Sequence, residues 1–381
     1  MNFNMKMGGK KMKKCMSYIL IFTLIFTLIG CTEKKAENVR EKDRFDIKAA
    51  NDIVESYIKN IALEKYDKAN ELLSEKVKTD VKDIKPNDLK IKGFRTEEMS
   101  ENAGEGNFRL NVVKANMNKP ETQIVEYKFK VIKDGIDYKI EEIKTTLLME
   151  AFHSFDEIRF RKKSELGTFL LTDMEGLPKY AYSKDDSAQM KSQIVPKSSF
   201  GPIVLDYTGD IVAISTIGNG RYIGLLTFDD SMETQGQGGG GGGSGVGNPN
   251  SSGAGGEQRD TQSRKMPKEK PIGKQIVSCD IMENAVIENM IFSKDEKLLA
   301  VQYSKDGNRS IRVYNVGDGE LIKFNFEEEY PLNKVNIVLR GFEEETMKYT
   351  IVPKDKQNGI EKYVGNWELD LKEFKAKKSE S

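Results

Sequence analysis

Three cysteines and one histidine are the only thiols and imidazole in this chain of 381 residues. Cys31 is set up for chemistry by what precedes it. Five lysines (Lys6, Lys10, Lys11, Lys13 and Lys14) stand upstream, with no acidic residue before the cysteine. An apolar run from Tyr18 to Ile29 follows, and Gly30 leaves room for a peptidase at the Gly30–Cys31 bond. A basic start, a short apolar stretch and a small residue before the cut make a secretory signal. The run is too short to cross a bilayer, which takes about 20 apolar residues.

Leu28-Ile29-Gly30-Cys31 at the end of such a signal resembles the lipobox of bacterial lipoproteins. The resemblance implies that the Cys31 sulfur carries a diacylglyceryl group and that cleavage falls between Gly30 and Cys31. The expected localisation is the extracytoplasmic face of a bacterial cell membrane, with that lipid as the anchor. Each buried methylene contributes about 0.8 kcal/mol, so two acyl chains hold firmly where one holds marginally. Residues 1–30 are then the signal peptide. Residues 31–45, polar from Thr32-Glu33-Lys34-Lys35 onward, read as a tether.

Beyond the anchor the chemistry thins out. Cys15 leaves with the signal, and Cys279 has no partner for an intramolecular disulfide. It reads as a small buried hydrophobe in a strand. His153 is the only histidine, which excludes zinc centres built on two. Flanked by Phe152 and Phe155, it reads as half-buried and structural. Asp185-Asp186 and Glu343-Glu344-Glu345 are runs of neighbours. Acid–base pairs work from facing elements that push their pKa values apart, so these runs read as solvated turns. No GxSxG, P-loop, HExxH or CxxC is present. No catalytic residue, metal ligand or cofactor is expected, and the ligand-binding residues are not legible.

Charge narrows the partners. Sixty basic and sixty acidic side chains balance, and loss of the signal lysines tips the remainder to the acidic side. A chain without basic excess is not expected to hold nucleic acid.

The elements that must position any site come next. Ile47, Ala50, Val54, Tyr57, Ile58 and Ile61 fall on one helical face. Tyr66, Ala69, Leu72, Leu73 and Val77 predict a second helix. Strict alternation then predicts strands over 89–94, 108–112, 124–131 and 138–143, with a hairpin turn at Asp134-Gly135. One wet and one apolar face means an antiparallel sheet. With Ala49, Tyr57-Ile58, Tyr66, Ala69 and Leu72-Leu73 in this order, residues 46–150 resemble the nuclear-transport-factor-2-like fold. That resemblance implies an α+β domain, two helices on a curved antiparallel sheet, around a cone-shaped cavity.

The second half repeats itself. Ile203 to Ile214 resembles Met290 to Val301, and turn glycines Gly220 and Gly307 follow Ala213 and Ala300 at equal distance. A looser copy runs from Ile337 through Met347 to Leu369. Three copies are legible, four if residues 158–190 count. The stretch 291–315 resembles a TolB-type or WD-repeat propeller blade, with Lys294 where a proline is usual and Glu296 where a glycine is. A propeller takes about 4–8 blades. Residues 155–374 are therefore expected to form an all-β blade-repeat domain, a small or incomplete propeller or a sandwich of similar units. Residues 233–270 read as a flexible insertion lying between two blade-like units. Its run Gly238 to Gly243 matches a phosphate loop only in spacing, because no helix follows.

The function expected from all this is non-catalytic: a membrane-anchored lipoprotein that binds a partner protein or cell-wall component through its β repeats. The alternative is a ligand-binding or sensory lipoprotein using the N-terminal cavity. An enzyme with carboxylates in that cavity is the third reading.

Overall fold

The computed structural model describes residues 45–78, 88–163, 165–186, 188–228, 269–355 and 359–379. The signal peptide, Gly30 and Cys31, the tether as far as residue 44, and residues 233–268 of the insertion lie outside the described residues. What is described is mostly strand, in five antiparallel sheets.

Helix α1 (Ile47–Ala62) starts where the Asp46 side chain accepts the N–H groups of Lys48 and Ala49, satisfying donors that the first turn leaves free. It buries Ala50, Val54, Tyr57 and Ile58 against Phe94, Leu110, Phe129 and Ile140 of a sheet. The second predicted helix is instead two short turns, α2 (Tyr66–Asn70) and α3 (Glu75–Lys78). Between them the chain leaves helical geometry to cover a sheet edge. Ser74 N donates to Ile140 O at 2.9 Å, and Ile140 N donates to Leu72 O at 3.0 Å. A strand edge left bare would carry unpaired donors and acceptors, and this demand outweighs local helix propensity.

The sheet runs β1 (Lys90–Asn102), β2 (Glu105–Asn116), β3 (Glu121–Asp134), β4 (Asp137–Ser154), β5 (Glu157–Lys162) and β6 (Phe169–Asp173), in sequence order. Register shifts in β1 and between β3 and β4 curve it. It continues across residues 151–154, between the two domain ranges expected from the sequence: Glu150 pairs with Arg161 and Ala151 with Phe160. On β2, Phe108, Leu110 and Val112 face α1, while Val113 and Ala115 turn the other way into a second core with Leu205 and Val204. One sheet therefore serves two cores.

After the small hairpin β7 (Tyr180–Tyr182) and β8 (Ser192–Ile194) come three consecutive meanders. The first is β9 (Ser199–Leu205), β10 (Ile211–Ile217), β11 (Gly220–Phe228) and β12 (Gly273–Glu283). The second is β13 (Ala285–Phe292), β14 (Leu298–Lys305) and β15 (Asn308–Asn315). Helix α4 (Phe326–Glu329) precedes the third, β16 (Val335–Phe342), β17 (Thr346–Pro353), β18 (Gly365–Asp370) and β19 (Ala376–Lys378). Their first strands lie side by side, β13 touching both β9 and β16, and β1 touches β13 and β16. Because β11 pairs with β12, the connection holding the insertion joins two strands of one sheet rather than two repeats.

The sequence repeat reappears as turn geometry. Asp206 accepts the N–H groups of Gly209, Asp210 and Ile211 on one oxygen. Ser293, its counterpart, accepts the N–H of Leu298 at 3.0 Å. Gly209 and Glu296 both have positive φ, at 79° and 60°. Glu296 thus takes a backbone conformation that glycine adopts without strain.

Candidate functional site: a cavity between the first helix and the sheet

The C-terminal half of α1 stands off the curved sheet and leaves a cavity of 270 Å³. Its apolar wall includes Ile58 and Ile61 from the helix, Ile91 from β1 and Ile143 from β4. Tyr57 lines it from above, only 3% exposed, edge-on to Phe129 at 5.8 Å. Tyr127 lines it from β3 and stacks on the same Phe129. Lys114, next after Val112 on the helix-facing side of β2, sets its ammonium 5.2 Å from the centre of the Tyr127 ring. At the rim Lys90 and Glu64 form an ion pair.

Two features stand out chemically. Among the described residues nothing hydrogen-bonds the Tyr57 hydroxyl, and it is not one of the sealed-off unpaired polar atoms, so it opens onto the cavity. Burial pushes its phenol pKa up, and the neighbouring Tyr127 adds to the rise. Nor does any described carboxylate pair with Lys114. Glu64, already engaged by Lys90, is the one carboxylate on the described lining. Among the described residues no group of three or more His, Cys, Asp or Glu could hold a metal ion, and no helix is long and apolar enough to cross a membrane.

The other chemistry-bearing residues lie elsewhere. His153, on β4, is exposed rather than half-buried, its ring 6.1 Å from that of Phe200. Cys279 is 1% exposed in β12, and burial pushes its thiol well up, away from reactivity. Asp185 and Glu343 do lie in turns, Asp185 exposed and Glu343 half-buried, but each reaches charged partners across the fold. Glu343 reaches Lys59 of α1 at 3.0 Å. Asp185 joins a buried network around Arg312 of β15. The guanidinium meets Asp280 of β12 at 2.8 Å, Glu327 of α4 at 2.8 Å, and Asp185. Tyr314 donates to Asp280 at 2.7 Å, and Lys305 reaches Asp185 at 2.9 Å. Burial opposes charge on Asp185, but the hydrogen bonds from Arg312 and Lys305 outweigh it and hold its carboxyl below the usual range.

One surface is apolar out of proportion. On and beside the hairpin β7–β8, Tyr180, Tyr182, Met190 and Ile194 are 51%, 44%, 84% and 72% exposed. Tyr180 faces Ile194 across the two strands.

No protein-family model matches the chain, and no curated protein matches it. Among solved structures, TolB from Acinetobacter baumannii matches at 10% identity over 69% of this chain and 77% of that chain, with a TM-score of 0.16. So slight a likeness has no bearing on fold or function, which rest on the geometry above.

Proposed function

We propose that this chain is a lipid-anchored binding protein on the extracytoplasmic face of a bacterial cell membrane, without catalysis of its own. Residues 46–150 would be its nuclear-transport-factor-2-like domain, a proposal supported by α1 lying across a curved antiparallel sheet. Residues 155–374 would be its propeller-like part, supported by three consecutive meanders. The β-repeat part meets a partner protein or cell-wall component. The observation that carries this is the hairpin β7–β8, whose four exposed apolar side chains form a contact surface. Aromatic and methionine side chains gathered on a surface mark sites of association.

The test is a photo-crosslinking residue at Tyr182, with another at Ile136 as control, since Ile136 is exposed but isolated at a hairpin tip. Capture of one defined envelope component from Tyr182 alone supports the proposal; equal capture from both positions refutes it. The anchor is tested separately with labelled palmitate. Cys31→Ala is expected to lose the label and to free the protein from the membrane. Persistent label would refute the anchor.

A second reading has its own support. The partnerless Tyr57 hydroxyl inside the cavity favours a small ligand bound between α1 and the sheet.

A further inference from the structure

The cavity under α1 carries an unbalanced charge. Phe108, Leu110, Val112 and Lys114 succeed one another along one face of β2, so an ammonium ends an apolar row. Placing a half-buried charge there is costly unless something offsets it. The Tyr127 ring offsets part of it, because a cation is attracted to an aromatic face. No described carboxylate offsets the rest. The rim charges Lys90 and Glu64 cancel each other, so the lining holds one spare positive charge. It also holds three phenols, Tyr57, Tyr66 and Tyr127, none with a described hydrogen-bond partner. Tyr66 lies at the rim beside Lys90, and Tyr57 and Tyr127 neighbour each other.

We infer that the cavity binds a small organic monoanion with an apolar body, an aromatic or medium-chain carboxylate in type. Lys114, Tyr57 and Tyr127 hold its carboxylate, and Ile58, Ile61, Ile91 and Ile143 enclose its body. The inference rests on the ligand reading above and names the ligand's class. A cation would face the unpaired ammonium. A dianion would bring a second negative charge to a site with one spare cation and Glu64 at its rim. A neutral molecule would leave Lys114 without a counter-charge. The volume of 270 Å³ lies just under the drug-sized range of about 300–1,000 Å³, so the body is small.

The test is isothermal titration of the full lipid-anchored chain in nanodiscs, with empty nanodiscs subtracted. The probes are naphthoate and octanoate, each against its neutral alcohol, naphthylmethanol and octanol. At least one acid is expected to bind saturably, and its alcohol roughly tenfold more weakly, because hydrogen bonds to ionised groups are about twice as strong as neutral ones. Lys114→Met should abolish the preference for acid over alcohol, and Lys114→Arg should keep it. Tyr57→Phe should weaken the acid roughly threefold, the loss of one ordinary hydrogen bond. Melting curves that match the wild type show that these variants fold. Equal binding of acid and alcohol, or a preference that survives Lys114→Met, overturns the anion assignment and leaves the ligand reading standing. Failure of all four probes to bind saturably overturns both.

Discussion

Arg312 and Asp280 meet at 2.8 Å across the boundary between the first two repeats, with 7% and 0% of their surfaces exposed. Asp280 belongs to β12 and Arg312 to β15, so the pair joins two sheets. Burial works against the charge on Arg312. The surrounding Tyr314, Asp280 and Glu327 outweigh burial and keep it protonated. Removing Arg312 leaves Asp280 buried with only hydrogen bonds from Tyr314 and Lys184 N, and removing Asp280 leaves Arg312 to Glu327 and Asp185. Each loss is therefore at most the roughly 3–5 kcal/mol of a fully broken buried pair. Arg312→Met and Asp280→Leu should each lower the urea midpoint strongly. The double variant should lose clearly less than the two singles added together. A strictly additive double variant would show that the two groups act independently.

Gly93 of β1 packs against the Tyr207 side chain, which follows β9 of the first repeat. A Cβ there would collide with the hydroxyl of Tyr207, which itself donates to Phe292 O at 3.2 Å. Gly93→Ala should therefore destabilise by about 1–3 kcal/mol, the usual cost of overpacking. Adding Tyr207→Phe removes the nearest atom and should recover part of the loss in a thermal melt. No recovery would place the strain elsewhere.

Asp206 supplies a pH dependence. Burial raises its carboxyl pKa, and the charge of Glu296 raises it further. Together they outweigh the hydrogen bonds it accepts, and its pKa reaches about 6 against an ordinary 3.8. Arg95 lies close by, paired with Glu296 at 3.0 Å. Between roughly pH 4 and pH 6 the folded state binds more protons than the unfolded state, so stability falls as pH rises through that window. Asp206→Asn keeps an oxygen for the N–H groups of Gly209, Asp210 and Ile211 and removes the titration. The variant should gain on the wild type as pH rises from about 4 to 7. A flat difference in melting temperature would show that Asp206 stays ionised throughout.

Lys59 marks the weak end of the scale. It joins α1 to the turn of the third repeat through Glu343, but its side chain is 42% exposed. Such pairs contribute about 0–1 kcal/mol. Lys59→Met should cost no more, and the cost should shrink as salt screens the charges. A larger loss, unaffected by salt, would point to packing of the Lys59 stem instead.

Much of the frame was legible because it is local. Ala50, Val54, Tyr57 and Ile58 announce α1 by spacing alone, and Ile124 to Val131 announces β3 by alternation. The correspondence of Asp206 with Ser293 was legible too, since two turns of the same length need the same side-chain acceptor. Partners far apart in sequence were not. β12 lies across the insertion from β11, and its residues Ile276 to Met282 do not alternate, so its membership of the first sheet left no pattern. The break in the second helix depends on Ile140, far downstream, competing for the backbone of Leu72 and Ser74. Within the cavity, Tyr57 resembled an ordinary core residue. The one signal present was Lys114, a charge standing where the alternation of β2 calls for an apolar side chain. Asp280, a carboxylate between Cys279 and Ile281, was a similar signal for the Arg312 network.

Phe228 and Gly273 are opposite one another on β11 and β12, so the polypeptide departs and re-enters at adjacent points of a single sheet. For such an excursion only the entropy of closure changes with length, by roughly 0.6 kcal/mol per doubling. This position is therefore a docking port for engineering: an epitope or fluorescent reporter spliced there should ride on the folded protein at little cost. The same graft into the tight Asp306-Gly307 turn, whose neighbours Lys305 and Asn308 are directly paired, would prise β14 from β15.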